Sequence, residues 1–292
     1  MKFTGKLPAE QIKAFGRVKY WKGQVTSKGG IKIRLLLSLK PLKESDYSTL
    51  QPNKMQGFIY NQLKGTAFES LHDAKGYKYF CFSNIFRPKK NGEGEREFPK
   101  TLRENEEWNW IISSPNPEFT RILKNRLFEL TKSGEALNIG DSSFTLESIK
   151  PFRKFINPPC TIKAATLIAM RIPQYAYAGY GIQSGLPYLW WRSDMDFRAF
   201  IKQLEENLFK KYNQYQGTGI KQFPLFENFI FKKETGTEIV QEGKNIPVHG
   251  SIWHFPLSGL TGEQKRILEF GIDTGFGEQN TLGFGFVNVV SA

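Results

Sequence analysis

The 292-residue chain has two cysteines, Cys81 and Cys160, far apart and outside any C-x-x-C spacing, so neither a disulfide framework nor a cysteine metal site is indicated. Its three histidines, His72, His249 and His254, are as sparse. HGSIWH has neither helical His spacing nor an obvious third ligand, which argues against zinc. Long apolar runs are missing as well. IRLLLSL and TLIAM are too short to cross a bilayer, and MKFTGKLPAEQ lacks the apolar stretch of a signal peptide. The expectation is a cytoplasmic protein with no membrane partner and no metal. Acidic residues are the remaining scarcity: 28 Asp and Glu face 41 Lys and Arg, a formal charge of +13. Such a chain concentrates anions, which makes nucleic acid the first suspect, although a solubility or thermostability bias yields the same composition.

What is present is a repeated order of elements. IKIRLLLSL (31–39) alternates polar with apolar residues and then becomes continuously apolar, as a half-buried strand can. In PNKMQGFIYNQLK, Met55, Phe58, Ile59 and Leu63 share a helical face, and Pro52 suits a first turn. YKYFCFSNIF (77–86) and WNWIISS (108–114) read as paired strands around the polar loop RPKKNGEGERE. A second helix is capped by Asn116, with Phe119, Ile122, Leu123, Leu127 and Leu130 on one stripe, and SSFTLESIKPF closes the unit. The order is βαββαβ.

The second half repeats it. TIKAATLIAMRI (161–172) reads as one strand, and a helix begins near residue 194 with Ser193 and Asp196 as a capping box. FENFIFKK and VHGSIWHFPL follow as strands, then a short helix capped by Thr261 and Gln264 and ended by Gly271, then GFVNVV. The expected fold is α+β, two tandem ferredoxin-like (RRM-like) βαββαβ domains. The paired prolines of FINPPC divide the chain into residues 31–156 and 157–292, with 1–30 as an N-terminal extension.

GFGEQNTLGFGFV, Gly275 to Val287, puts four glycines before the last strand. It is not Walker A, because Phe284 follows Gly283, and it is not the dinucleotide fingerprint, because Asn280 stands where a third Gly is needed. Two uses remain open. Glycines let backbone N–H groups approach an anion, against which Glu278 counts, or they form a tight turn and bulge with no ligand.

The same stretch resembles the C-terminal glycine-rich signature of the CRISPR-associated repeat-processing endoribonucleases. QGFIYN, LHDAKG, YKYFCFSNIF and IWHF resemble further segments of that family in the same order, so the similarity touches both halves over about residues 31–292. It implies metal-independent, cofactor-free cleavage of precursor CRISPR RNA within its repeats, with the RNA 2′-hydroxyl as nucleophile. It also implies CRISPR repeat RNA as partner and a CRISPR effector complex as a further one. By resemblance Tyr60, His72 and Lys78 are the catalytic residues, and Gly275, Gly277, Gly283 and Gly285 belong to the RNA-binding loop.

The residue types suit that chemistry. The reaction needs a proton acceptor, a proton donor and positive charge at the phosphate. His72 is expected as the main acid/base, because an imidazole exchanges protons near neutrality. Lys78 is expected to stabilise phosphate charge, and Tyr60 to orient or deprotonate the 2′-hydroxyl. On a helical wheel Tyr60 projects roughly 140° from Met55, off the apolar stripe. The plainer readings are a solvated His72, a surface Tyr60 and a strand-edge Lys78, while His254, on a strand, reads as structural. Lys89, Lys90, Arg96, Lys210, Lys211, Lys232 and Lys233 would neutralise phosphates or simply solvate exposed faces. The YAYAGYG aromatics suit either base stacking or a core. A noncatalytic repeat-binding protein of the same fold is the alternative.

Overall fold

The computed structural model describes residues 34–88, 99–241 and 243–291. The expected 1–30 extension and Lys89, Lys90 and Arg96 therefore lie outside the described residues. The described residues form one compact unit.

The first half runs β1 (Arg34–Pro41), β2 (Ser45–Asp46), α1 (Pro52–Leu63), β3 (Cys81–Phe82), β4 (Thr101–Leu102), β5 (Trp108–Ser113), α2 (Pro117–Ser133), β6 (Leu137–Ile139) and β7 (Ser142–Phe152). Its main sheet has the order β3-β5-β1-β7-β6, antiparallel throughout. Strand alternation gives this sheet two working faces. Leu35, Leu37 and Leu39 of β1 and Trp108, Trp110 and Ile112 of β5 join Met55, Phe58, Ile59 and Leu63 of α1 and Phe119, Leu123 and Leu127 of α2 in one core. The opposite face presents Arg34, Cys81, Ile111 and Ser113, all buried. α2 starts as expected, with the Asn116 side chain accepting from the N–H groups of Glu118 and Phe119, and it ends at Gly134 in the left-handed region.

The second half runs β8 (Cys160–Ala164), β9 (Arg171–Pro173), β10 (Tyr188–Trp190), α3 (Phe197–Gln216), β11 (Ile230–Gln241), β12 (Lys244–Leu257), α4 (Gly262–Thr274) and β13 (Val287–Ser291). Its sheet order is β11-β12-β8-β13. Its core gathers Phe200, Leu204 and Leu208 of α3, Trp253 and Phe255 of β12, and Ile267, Leu268 and Ile272 of α4. The result is a mixed α+β fold.

Several local expectations need correction. YKYFCFSNIF is not one strand: Tyr79 sits at φ 49, so only Cys81–Phe82 and an isolated bridge at Phe86 pair with β5. TIKAATLIAMRI is broken into β8 and β9, because residues 165–170 leave the sheet to bond Phe286, Ser251 and the glycine-rich loop. The α3 cap is Asp196 alone, its carboxylate accepting from the Arg198 N–H, not a box with Ser193. Thr261 and Gln264 do form a capping box, but α4 passes through Gly271 and ends at Gly275. There Gly271 lies against Leu208 and Phe276, too close for a side chain.

Candidate active site

Tyr60, His72 and Lys78 come together at one end of α1. The His72 ring meets the Tyr60 ring edge-on at 5.0 Å between centroids. Lys78 Nζ lies 5.5 Å from the Tyr60 ring centre and donates to the His72 carbonyl at 2.5 Å. His72 ends a short 3-10 turn, Glu69–Leu71, and is exposed, with Nδ1 2.7 Å from the Asp73 carboxylate. Lys78 is carried by the irregular segment before β3, which the left-handed Tyr79 turns out of line; a bulky residue there stores about 1–2 kcal/mol of strain.

Tyr60 is not the off-stripe surface residue that the helical wheel implies. It is only 9% exposed and is counted in the first core, because Phe80 packs edge-on against its ring and His72 covers it. Its hydroxyl is buried without a hydrogen bond of normal geometry, and burial pushes its pKa up to about 12, with Thr281 opposing part of the rise. Partial burial lowers the Lys78 pKa, while the charge of Asp73 raises it.

The second half closes this region. Gln56 on α1 donates to the Thr281 hydroxyl at 2.9 Å. A cleft of about 350 Å³ is lined by Tyr77, Lys78, Arg171, Lys211, Glu278 and Thr281, among others. Gly275, Gly277, Gly283 and Gly285 all adopt positive φ, as the need for backbone freedom predicts, and all are buried. The close approach they allow is to the protein itself. A Cβ on Gly285 would overlap the Phe276 carbonyl oxygen, and one on Gly283 would fall 2.5 Å from the Phe82 ring of the first half. The loop is fastened to residues 167–171 by Gly285 N–H to Leu167 O at 2.7 Å and Glu278 N–H to Ala169 O at 2.9 Å.

Lys211, expected as a surface cation, is instead 2% exposed. Its ammonium donates to Gly275 O at 3.0 Å, Gly277 O at 2.6 Å and Asn280 Oδ1 at 2.6 Å, which holds the loop from beneath. Burial pushes its pKa down to about 7, opposed by the charge of nearby Glu278. Arg34, which sequence reasoning passed over, is fully buried on the outer face of β1. It reaches Asp273 at 3.3 Å, Asn288 at 2.9 Å and the carbonyls of Ile272 and Val287, and it stacks on Phe286. An arginine inside an apolar strand run was the available signal.

Lys210, Lys232 and Lys233 are exposed. The YAYAGYG stretch forms a 3-10 helix, Gln174–Tyr180, that buries Tyr177 and leaves Tyr175 exposed. His254 lies on β12 between β8 and β11. Among the described residues, no group of three or more His, Cys, Asp and Glu could hold a metal ion, and no helix is long and apolar enough to cross a membrane.

A family model described as CRISPR associated protein Cas6, C-terminal, matches residues 185–289. The Methanocaldococcus jannaschii protein named CRISPR-associated endoribonuclease Cas6 2 is 28% identical over 270 residues, which span 88% of this chain and 100% of that protein. The Haloferax mediterranei CRISPR-associated endoribonuclease Cas6 is 25% identical over 269 residues, 88% of this chain and 94% of its own. A solved structure described as CRISPR associated protein Cas6 shares the fold with a TM-score of 0.63 at 19% identity, covering 89% of this chain and 99% of that one. The family match to its C-terminal part, the relatives aligned over nearly their whole length and the shared fold agree, and this chain is similar to CRISPR-associated Cas6 proteins over most of its length.

Proposed function

We propose that this chain is an endoribonuclease that cleaves precursor CRISPR RNA within its repeats by metal-independent attack of a 2′-hydroxyl, with Tyr60, His72 and Lys78 as its catalytic residues. The relatives' names support the RNA endonuclease. The observation that carries the chemistry is the contact of His72 and Lys78 with one another and with the Tyr60 ring. In this reaction the 2′ oxygen bonds to the adjacent phosphorus and the bond from phosphorus to the 5′ oxygen breaks. One proton leaves the 2′-hydroxyl and one reaches the departing oxygen, giving a 2′,3′-cyclic phosphate and a 5′-hydroxyl.

His72 suits the proton transfer from the 2′-hydroxyl. Asp73 engages Nδ1, which leaves Nε2 as the second ring nitrogen for the RNA. Tyr60, with its pKa pushed up to about 12, stays protonated at neutral pH, so of its two expected roles it keeps orienting the 2′-hydroxyl and loses deprotonating it. Lys78 supplies positive charge to the pentacovalent centre. The four glycines act on RNA by shaping the loop from Gly275 to Gly285, while the less buried Glu278, Gln279, Thr281 and Leu282 form its outer side.

The finer reading of the fold is two tandem ferredoxin-like domains, 31–156 and 157–292. It is supported by the strand order of each half, which reads second-third-first-fourth when only the four strands of the βαββαβ series are counted. An effector complex is a further proposed partner, and the cytoplasm the proposed location. Incubation with a CRISPR repeat from the source genome tests the reaction. Cleavage should persist in EDTA, stop when the single 2′-hydroxyl before the scissile phosphate is replaced by hydrogen, and leave the ends named above. Binding without cleavage would establish the noncatalytic alternative, and a requirement for magnesium would overturn the mechanism.

A further inference from the structure

A second cleft, of about 300 Å³, adjoins the first and is lined by Arg171, Tyr175, Tyr188 and Lys210 together with Tyr77 and Glu278. Tyr77, Arg171 and Glu278 also line the first cleft, whose wall includes Lys78, so the two form one continuous groove. The groove leads from Lys78, the one proposed catalytic residue that lines it, to the short β9–β10 ribbon.

The side chains at the far end are arranged as a stacking platform. The Arg171 guanidinium lies 4.8 Å from the Tyr188 ring centre and 5.7 Å from that of Trp190. Glu278, from the glycine-rich loop, binds Arg171 through Nε, which fixes the guanidinium in place. The Tyr188 and Trp190 rings meet edge-on at 6.0 Å. Tyr175 is 74% exposed and Tyr188 42%. The exposed side chain of Lys210, paired with Glu206 at 3.4 Å, places an ammonium at the rim. Exposed aromatic faces beside a fixed guanidinium and a lysine match an unpaired nucleotide, whose base offers a π-face and whose phosphate offers charge. A paired base, already stacked and joined to its complement, does not fit a cleft of this size.

We propose that this second cleft binds one unpaired nucleotide of the RNA, adjacent to the scissile phosphate, with its base against Tyr188 and Tyr175 and its phosphate toward Arg171 and Lys210. The inference rests on the repeat-cleavage reading above. It gives the glycine-rich loop a further task, since Glu278 ties the loop to the platform and so couples nucleotide binding to the shape of the first cleft.

The test uses the full chain and the source-genome repeat carrying 2-aminopurine at one position at a time on either side of the scissile phosphate. With the wild-type protein one such position should be quenched on binding. Tyr188→Ala combined with Tyr175→Ala should abolish that quench and weaken binding about 5- to 150-fold, the range for one lost base–aromatic stack. Tyr188→Phe should retain both, because the ring and not the hydroxyl is used. Both tyrosines are exposed, so unchanged thermal unfolding of the variants is expected and checks that they fold. Unaltered affinity and quenching in the double variant, or no quenched position in a wild-type protein that binds and cuts the repeat, would overturn the subsite while leaving the nuclease reading intact. A wild-type protein that neither binds nor cuts the repeat would overturn both.

Discussion

Replacing Lys211 with Met tests how the glycine-rich loop is held. The wild-type ammonium sits among three acceptors, Gly275 O, Gly277 O and Asn280 Oδ1, while burial draws its pKa down to about 7. Unfolded, the same lysine keeps its proton to about pH 10.4. Between these values the unfolded chain binds one proton more than the folded chain, so stability rises with pH by about 1.4 kcal/mol per unit. Below about pH 7 both states are protonated and the cost of a buried charge is fully present. Methionine has no proton to exchange, and titrations common to both proteins cancel in the difference. Denaturant unfolding of the two proteins from pH 6 to 10 should show wild type gaining on Lys211→Met by roughly 3 kcal/mol between about pH 7.5 and 9.5. The neighbouring groups that face Lys211 are Cys81, Glu278 and the Tyr77 ring, and both proteins retain all three. Parallel stability curves across this range would refute the reasoning. They would mean that the three acceptors hold the proton on Lys211 against the effect of burial.

His72→Ala should lower single-turnover cleavage about 10²- to 10⁴-fold with RNA affinity nearly unchanged, and unaltered cleavage would remove His72 from the mechanism. Gly285→Ala should destabilise the chain by about 3 kcal/mol or more, since its Cβ meets a backbone carbonyl that cannot easily move, whereas Thr281→Ala should cost under about 1.5; equal melting temperatures would count against the packed loop. Arg34→Met should cost about 3–5 kcal/mol by stranding the buried Asp273, whose pKa burial already pushes up to about 6. Because losing the guanidinium raises the Asp273 pKa further, the folded variant keeps a proton that the folded wild type gives up near pH 6, so this loss should be flat below about pH 6 and grow above it, and unfolding at pH 5 and 7.5 checks the sign.

What could be read from sequence was whatever is written locally. The α2 stripe and its Asn116 cap, the Thr261–Gln264 box and the order of elements depend on spacing of a few residues, and each is present. The break in 161–172 was not legible, because its cause is remote: residues 165–171 bond Phe286, Ser251 and Glu278, more than eighty positions away. Tyr60 failed for the same reason. A helical wheel measures direction from the helix's own stripe, and it could not register that Phe80, His72 and the Thr281 loop cover the other side. Lys211 and Lys210 are adjacent and chemically identical in sequence, yet one lies under the loop and the other in solvent, a difference set by helix phase against a partner from the far end of the chain.

The same long-range contacts bear on how the two halves work. The outer face of the first sheet is not a solvent face, for Arg34, Cys81 and Ser113 all bond Asp273 or its carbonyl, and Phe286 packs among Cys81 and Ile111. Phe82 fills the space that the absent side chain of Gly283 leaves. Separating the halves would expose a buried arginine, a buried carboxylate and this apolar surface at once, so each half depends on the other for its folded state. Tyr60, His72 and Lys78 all belong to the first half, but the wall beside them, Thr281 and the loop held by Lys211, belongs to the second. A change in how the loop is fastened therefore alters the cleft next to Lys78 without touching any of the three residues. This is the physical route by which a molecule held on the second half can alter the geometry around Lys78 on the first.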